Sequence, residues 1–346
     1  MKAIKEMKKN EHAVSPIVAT LVLIVVAVVG AVAVGTIMGT FSGDVSKQAN
    51  AGDAKGAAST EVLVVGSTTV LPASELIAKA YMTEHPGIKI SVQGGGSGAG
   101  VASVGKDIVD IGASSSPLKP EQLTTYPDLK EYLIGGSAVI VVTNAASPLP
   151  AGLTKAQLKS AYENVNATGF VNYNAGTFSG TYTTGDTVFK VYQRQETSGT
   201  EETFARYIAY PDSSAAALPD ACNAIQLKGN QIIADTIAGT TGNGVAAPAA
   251  LGFIDWGYYH AQPTKFNAIV LDGGSPVTEA VVKAAVKNTI AGGTPTTFPK
   301  GLCRGLYYVT NGEPNPIVKN FIQFASSPAG SELVDKAGMF GNAALA

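Results

Sequence analysis

The pattern of apolar and polar positions divides the chain into three stretches. From Ala13 to Gly43 no residue carries a charge, and Ile17 to Met38 is almost wholly Val, Ile, Leu, Ala and Gly. From Asp44 to Thr60, Gly, Ala, Ser, Lys and Asp dominate, with almost no large apolar side chain, the composition of a flexible linker. Beyond it, short apolar runs alternate with helical patterns. Glu61-Val62-Leu63-Val64-Val65 predicts a strand by its β-branched content. Leu71, Ala73, Leu76, Ile77, Ala80 and Tyr81 then recur at helical spacing, with Pro72 in the first turn. Ile88 to Val92 and Ile108 to Gly112 predict two further strands, and the unbroken run Ala138 to Thr143 a buried one. Phe189 to Tyr192, Leu251 to Asp255 and Ala268 to Leu271 also predict strands. Glu202 to Ala209 predicts a helix, and Ile317 to Gly338 a helix pair broken at Ser326-Ser327-Pro328. Strands alternating with helices imply an α/β body with a mostly parallel sheet.

The first stretch exceeds the ~20 apolar residues that span a bilayer and the roughly 7–15 of a secretory signal. It predicts one transmembrane helix. Lys2, Lys5, Lys8 and Lys9 place its amino end in the cytoplasm, so the body is expected outside the cell membrane. Ala27, Ala31, Gly35 and Gly39 recur every four residues, and small residues at that spacing let helices approach closely. Lys8-Lys9-Asn10-Glu11-His12-Ala13-Val14-Ser15-Pro16-Ile17-Val18-Ala19-Thr20, followed by this run, resembles the amino-terminal segment of archaeal type IV pilins. The resemblance covers about the first 45 residues. It implies removal of a leader near Ala13 and a helix that sits in the membrane or packs, by self-assembly, in the core of a surface filament.

Composition narrows the function. The chain has 346 residues, 24 Lys+Arg against 26 Asp+Glu, and a formal net charge of −2. Without a basic block it is a poor nucleic-acid binder. Two cysteines and three histidines argue against a His/Cys metal site, and no cofactor is expected. Cys222 and Cys303 both lie beyond the membrane segment, where they either pair in a disulfide or remain two buried thiols. Asn166-Ala167-Thr168 is a glycosylation sequon on an expected loop.

Gly94-Gly95-Gly96-Ser97-Gly98-Ala99 formally fits a dinucleotide fingerprint, but the next strand ends in Gly112-Ala113-Ser114-Ser115, which lacks the required acid. Gly100 to Asp107 nearly fits a P-loop, with Asp107 where a Mg²⁺-binding hydroxyl must stand. No G-x-S-x-G elbow is present. None of the histidines is placed beside a candidate nucleophile. The sequence therefore offers a place to hold an anion and no group to transform it, which argues against an enzyme.

That place is assembled from turns. Open α/β sheets bind ligands at the carboxyl ends of their strands. Ser67-Thr68-Thr69, Ser97-Gly98 and Ser198-Gly199-Thr200 each stand between a strand and a helix. Glycine lets backbone come close, helix amino ends carry partial positive charge, and hydroxyls add donors without net charge. Arg194 precedes the third turn at fixed distance and supplies a full cation.

Four ordered motifs resemble the phosphate-binding proteins of ABC transporters, which are type II periplasmic binding proteins. They are Gly66-Ser67-Thr68-Thr69-Val70-Leu71-Pro72, Gln93 to Gly100, Val109-Asp110-Ile111-Gly112-Ala113-Ser114, and Arg194-Gln195-Glu196-Thr197-Ser198-Gly199-Thr200. The resemblance runs from about residue 60 to the end. It implies phosphate contacts from Ser67, Thr68, Thr69, Ser97, Arg194, Ser198, Gly199 and Thr200, with Glu196 supporting Arg194. Many members carry Asp after the Gly-Ala-Ser turn to accept the proton of bound phosphate. Here Ser115 stands there, and a subgroup of the family has Ser-Ser at this place. Asp110, on the strand, takes a supporting, structural part. Sulfate, molybdate and tungstate remain alternative ligands.

The expected organisation is a leader and membrane or pilin-like helix (1–43), a linker (44–60), a first lobe (60–138 and 252–346) and a second lobe (139–251). An anion cleft would lie between the lobes. An ABC transporter permease is the partner that the family resemblance implies.

Overall fold

A computed structural model describes residues 61–148, 152–195 and 198–346. The expected membrane or pilin-like helix, its leader, the linker and Glu196 lie outside the described residues. Among the described residues, no helix is long and apolar enough to cross a membrane.

The body is a two-lobed α/β structure organised on one continuous path of strands. Its first units repeat strand, turn and helix: β1 (Glu61–Gly66), α1 (Leu71–Glu84), β2 (Lys89–Gly94), α2 (Ser97–Gly105) and β3 (Ile111–Ser114). Strand β1 runs parallel to β2 and β3, as expected of crossover units, but the strands that follow pair largely antiparallel, so the sheet is mixed and not the mostly parallel one expected. The short helix α3 (Pro120–Thr125) leads to β4 (Leu129–Asn144), sixteen residues long.

The chain continues through β5 (Gly152–Leu153), α4 (Lys155–Glu163), β6 (Phe170–Asn174), β7 (Thr177–Ser179), β8 (Thr187–Arg194), α5 (Gly199–Ile208), β9 (Ile225–Leu227), α6 (Gly229–Ala238) and β10 (Ala249–Asp255). The chain then passes through α7 (Trp256–Ala261), β11 (Phe266–Ala268), β12 (Val270–Leu271) and α8 (Glu279–Ile290). It ends in β13 (Cys303–Asn311), α9 (Pro316–Ser326) and α10 (Pro328–Lys336), the expected helix pair, then β14 (Phe340–Gly341) and α11 (Asn342–Leu345). Ser327 separates the pair by capping α10, its Oγ accepting from Gly330 N at 3.3 Å.

The spatial order is β2-β1-β3-β13-β4-β10-β8-β6-β7. Strand β4 joins the two halves. Leu129 to Ala138 pair antiparallel with β13, whereas Val139 to Thr143 pair with β10. Its side chains divide likewise. Ile134 packs with Val62, Val64, Ile77, Ile111 and Phe321 in the first core. Ala138 to Val142 pack with Phe189, Phe204, Phe253 and Ile233 in the second, where Phe204 and Phe253 stack with ring centroids 4.1 Å apart.

The chain beyond residue 252 does not go straight to the first core. β11 pairs with β4 at Val142 to Asn144, β12 pairs with β5, and Val282, Val286, Phe298 and Leu302 pack in the second core. The strand expected at Ile108 to Gly112 begins only at Ile111. Asp107 takes a positive φ of 53°, and Ile108 is an exposed turn residue.

Candidate anion-binding site

Each strand–turn–helix unit places its hydroxyls by local bonding. Where β1 ends, Gly66 has φ +151°, and a Cβ there would lie 2.2 Å from Ala113 O. Only glycine permits that approach to β3. The following turn is held by Ser67, whose Oγ accepts from Thr69 N at 3.2 Å and Val70 N at 3.4 Å. The Gly-rich loop is tied to the same strand end, because Gly95 N and Gly96 N both donate to Gly66 O at 2.9 Å. Ser97 thereby opens α2 beside β3. Its Oγ accepts from Ser115 N at 3.2 Å and lies 3.2 Å from Ser115 Oγ.

The opposite wall is the amino end of α5. Ser198 caps it, its Oγ accepting from Thr200 N at 3.1 Å, as predicted for a Ser-Gly-Thr start. Arg194 ends β8 and is buried. Its Nη2 donates to Thr68 Oγ1 at 2.8 Å. Thr69 Oγ1 and Thr200 Oγ1 meet at 2.9 Å across the two walls. A Cβ at Gly199 would stand 2.1 Å from Ser115 Oγ and 2.9 Å from Ser97 Oγ, so the absent side chain is what lets the walls meet. Ser67, Thr68, Thr69, Ser97, Ser115, Arg194, Ser198, Gly199 and Thr200 are thus brought to one place, nearly all of them buried.

Asp110 is placed elsewhere. Its Oδ2 accepts from Leu63 N at 2.8 Å and ties the approach to β3 onto β1. Burial raises its pKa, partly opposed by the backbone hydrogen bonds.

Three buried residues complete the site without having been singled out from the sequence. Arg304 on β13 reaches under both walls. Its Nη2 donates to Thr69 Oγ1 and Thr200 Oγ1, both at 3.0 Å, and its Nη1 lies 3.4 Å from Ser115 Oγ. Asp255, where β10 ends, holds that guanidinium at 2.6 Å. Its carboxylate also accepts from Ser137 Oγ at 2.9 Å and from Gly257 N at 3.2 Å. Burial pulls the Arg304 pKa down, and the Asp255 charge opposes that. Asn230 in the first turn of α6 sends Nδ2 toward Thr200 Oγ1 at 3.3 Å and Thr69 Oγ1 at 3.5 Å.

Chemically, this is a ring of hydroxyls and amides, a helix amino end and two guanidiniums. The arrangement suits a small, compact anion. Among the described residues, no group of His, Cys, Asp or Glu is placed to hold a metal ion.

The description "PBP superfamily domain" belongs to the family model that matches residues 51–329. The chain belongs to the PBP superfamily. Within that superfamily it is 27% identical, over 82% of its length and 81% of the relative, to the phosphate-binding protein PstS of Bacillus subtilis. A shorter match, 36% identical over 89 residues, covers 26% of the chain and 31% of phosphate-binding protein PstS 2 of Streptococcus pneumoniae. Among solved structures, an ABC-type phosphate transport receptor from Vibrio cholerae superposes with TM-score 0.59 at 21% identity. It covers 81% of this chain and 99% of that one, a likeness of fold.

Of the two states left open for the cysteines in this PBP-superfamily body, the structure has the second. Cys222 and Cys303 do not pair; both are buried free thiols. Each has its own carbonyl within reach, Tyr162 O for Cys222 and Pro299 O for Cys303, both at 3.6 Å. Burial raises the Cys222 thiol, and it pushes Cys303 up to about 12, so neither is a ready thiolate. The sequon at Asn166 does fall on a turn between α4 and β6. There Asn166 Oδ1 accepts from Thr168 Oγ1 at 2.7 Å and Thr168 N at 3.0 Å.

Proposed function

We propose that the chain is an extracytoplasmic substrate-binding protein that captures inorganic phosphate between its lobes and delivers it to an ABC transporter permease. The observation that carries this reading is the convergence of Ser67, Thr69, Ser97 and Ser115 from one lobe with Arg194, Ser198 and Thr200 from the other. The relatives named phosphate-binding proteins support the choice of anion. Ligand contacts come from Ser67, Thr68, Thr69, Ser97, Ser115, Arg194, Ser198, Gly199 and Thr200, with Glu196 supporting Arg194. An anion that touches both walls favours the closed arrangement, since only that arrangement engages both. The closed lobes are the form that the permease reads. The site binds and releases its anion without transforming it.

The lobes divide within β4 at residues 138 and 139. The chain returns to the first lobe at β13, since β11, β12 and the side chains Val282, Val286, Phe298 and Leu302 stay with the second. The apolar run Ile17 to Met38 anchors the body to the outer face of the cell membrane.

Calorimetric titration of the full chain in detergent tests the reading. Phosphate should bind with micromolar or tighter affinity, roughly −8 kcal/mol or better. No heat with phosphate would reject it. Helical polymers seen by microscopy, with the leader cut near Ala13, would instead assign the amino-terminal helix to a filament core.

A further inference from the structure

The direction of the hydroxyl protons at the site follows from its buried neighbours. Thr69 Oγ1 faces Arg304 Nη2 at 3.0 Å and Asn230 Nδ2 at 3.5 Å. Thr200 Oγ1 faces the same two nitrogens at 3.0 and 3.3 Å. Guanidinium and carboxamide nitrogens only donate, whereas a hydroxyl has two accepting lone pairs and one proton to give. Nη2 has two protons and Asp255 takes one, so the two oxygens share the other, each with a carboxamide proton beside it, and what each has left to offer is its own proton. A bond between the two hydroxyls, 2.9 Å apart, would have to be accepted by an oxygen already so occupied. Ser115 Oγ is likewise faced by Arg304 Nη1.

The one described carboxylate in contact with Arg304 is turned inward. Asp255 accepts from Arg304, Ser137 and Gly257 N, which fills its oxygens with the protein's own donors. The charged groups that act on Arg304 are Asp255, Arg194 and Glu202. Glu202 is itself ion-paired with Lys119 and Arg206. Arg304 Nε is buried and has no hydrogen-bond partner among the described residues. Among the described residues the ring is thus rich in donors and poor in acceptors.

We propose that Arg304, held by Asp255, is a second anion-contacting guanidinium, and that the site selects tetrahedral oxyanions as dianions, sulfate as well as hydrogen phosphate, over the protonated monoanion. The inference rests on the oxyanion reading above and deepens it. Each ligand P–OH would meet donors where it needs an acceptor; dihydrogen phosphate carries two such groups, hydrogen phosphate one and sulfate none, so the match improves as the ligand loses protons. Arg304 also turns the threonine hydroxyls toward the ligand.

The test is calorimetry on the full chain with inorganic phosphate and with sulfate, below and above the second ionisation of phosphate. Phosphate should bind at least about tenfold tighter when it is the dianion, 1.4 kcal/mol. Sulfate, whose charge is constant across that range, should hold one affinity at both pH values and lie within about tenfold of dianionic phosphate. Arg304→Gln alone would strand Asp255, so the informative variant is Asp255→Asn/Arg304→Gln, in which two amides can still bond each other. It should fold, as read by its thermal transition, lose about tenfold or more for both anions, and flatten the pH dependence. Arg304→Lys should recover part of the affinity but not the tight response to charge. Equal phosphate affinity at both pH values, sulfate exclusion, or a double variant with unchanged binding would overturn the inference while leaving phosphate capture intact. A wild-type chain indifferent to both anions would remove the oxyanion reading and this inference together.

Discussion

The rim of the site and its floor are built on different principles. The rim consists of turns: Ser67 to Thr69, Ser97 and Ser198 to Thr200 each sit where a strand gives way to a helix. Their geometry is set within a few residues by caps and glycines. The floor consists of strand residues. Arg304 lies opposite Ser137 in the β13–β4 register, and Asp255 lies opposite Val139 on the other side of β4. The rim is assembled by local rules and meets across the cleft. The floor exists only once two distant segments, β13 and β10, have paired along one long strand. A change in the rim should therefore be felt in binding, and a change in the floor in folding as well.

The largest effect should come from the floor. Asp255→Ala leaves a buried guanidinium without its counter-ion, and breaking such a pair costs about 3–5 kcal/mol. Urea unfolding should show that loss as a shifted midpoint with an unchanged slope. A loss below about 1 kcal/mol would mean that the pair behaves as a surface contact and that the floor is no more structural than the rim. Next in size is Arg194→Ala. It removes the cation that bonds Thr68 across the walls, and phosphate binding should weaken at least tenfold, about 1.4 kcal/mol. An unchanged dissociation constant by calorimetry would take Arg194 out of the site. Ser115→Asp should follow. It puts an acceptor where Arg304 Nη1 and Ser97 Oγ now converge, and it should favour protonated phosphate over sulfate. Equal or poorer discrimination would show that this position does not read the ligand's proton.

The same contrast explains what the sequence disclosed. Ser67, Ser97 and Ser198 are legible because strand, turn and helix follow one another in the chain, so the residue and its task share one local pattern. Gly199 is legible for the same reason, although the need for its missing Cβ becomes visible only against Ser115. Arg304 stands inside an apolar strand run, Leu302-Cys303-Arg304-Gly305-Leu306. A lone charge in a strand destined for burial was the available signal, but its partners are far away in the chain. Asp255 reads as the end of its strand, and in the structure it both caps α7 and holds Arg304. Strand β4 is also longer than its apolar run predicts. Ala138 to Thr143 form a continuous apolar run, but the preceding half opens with two consecutive exposed charges, Lys130 and Glu131, and pairs with β13 beneath a different core. The two thiols show the converse limit. Cysteine count and compartment permit a bridge, but only the packing around Tyr162 and Pro299 shows that each is held apart.

The smallest expected effect sharpens the contrast most, because one carboxylate tests both sides. Glu202, in the first turn of α5, is nearly buried and faces two cations. Lys119 Nζ approaches from the first lobe at 2.9 Å, and Arg206 Nη1 from its own helix at 3.1 Å. Neither variant strands the carboxylate, since the other cation remains. Lys119→Met removes a tie that exists only when the walls have met. Phosphate affinity should fall by about 1 kcal/mol or a little less, the range for partly exposed pairs, and added salt should shrink the difference. Arg206→Met removes an i,i+4 pair within one helix. It should cost a few tenths of a kcal/mol of stability, roughly 0.3, with no change in binding. If the two variants weaken phosphate equally, the Lys119 bond carries no closure energy and Glu202 serves only α5. If Lys119→Met alone weakens it, the lobes are held by contacts beyond the hydroxyl ring, and the energy of closing is shared between ligand and protein.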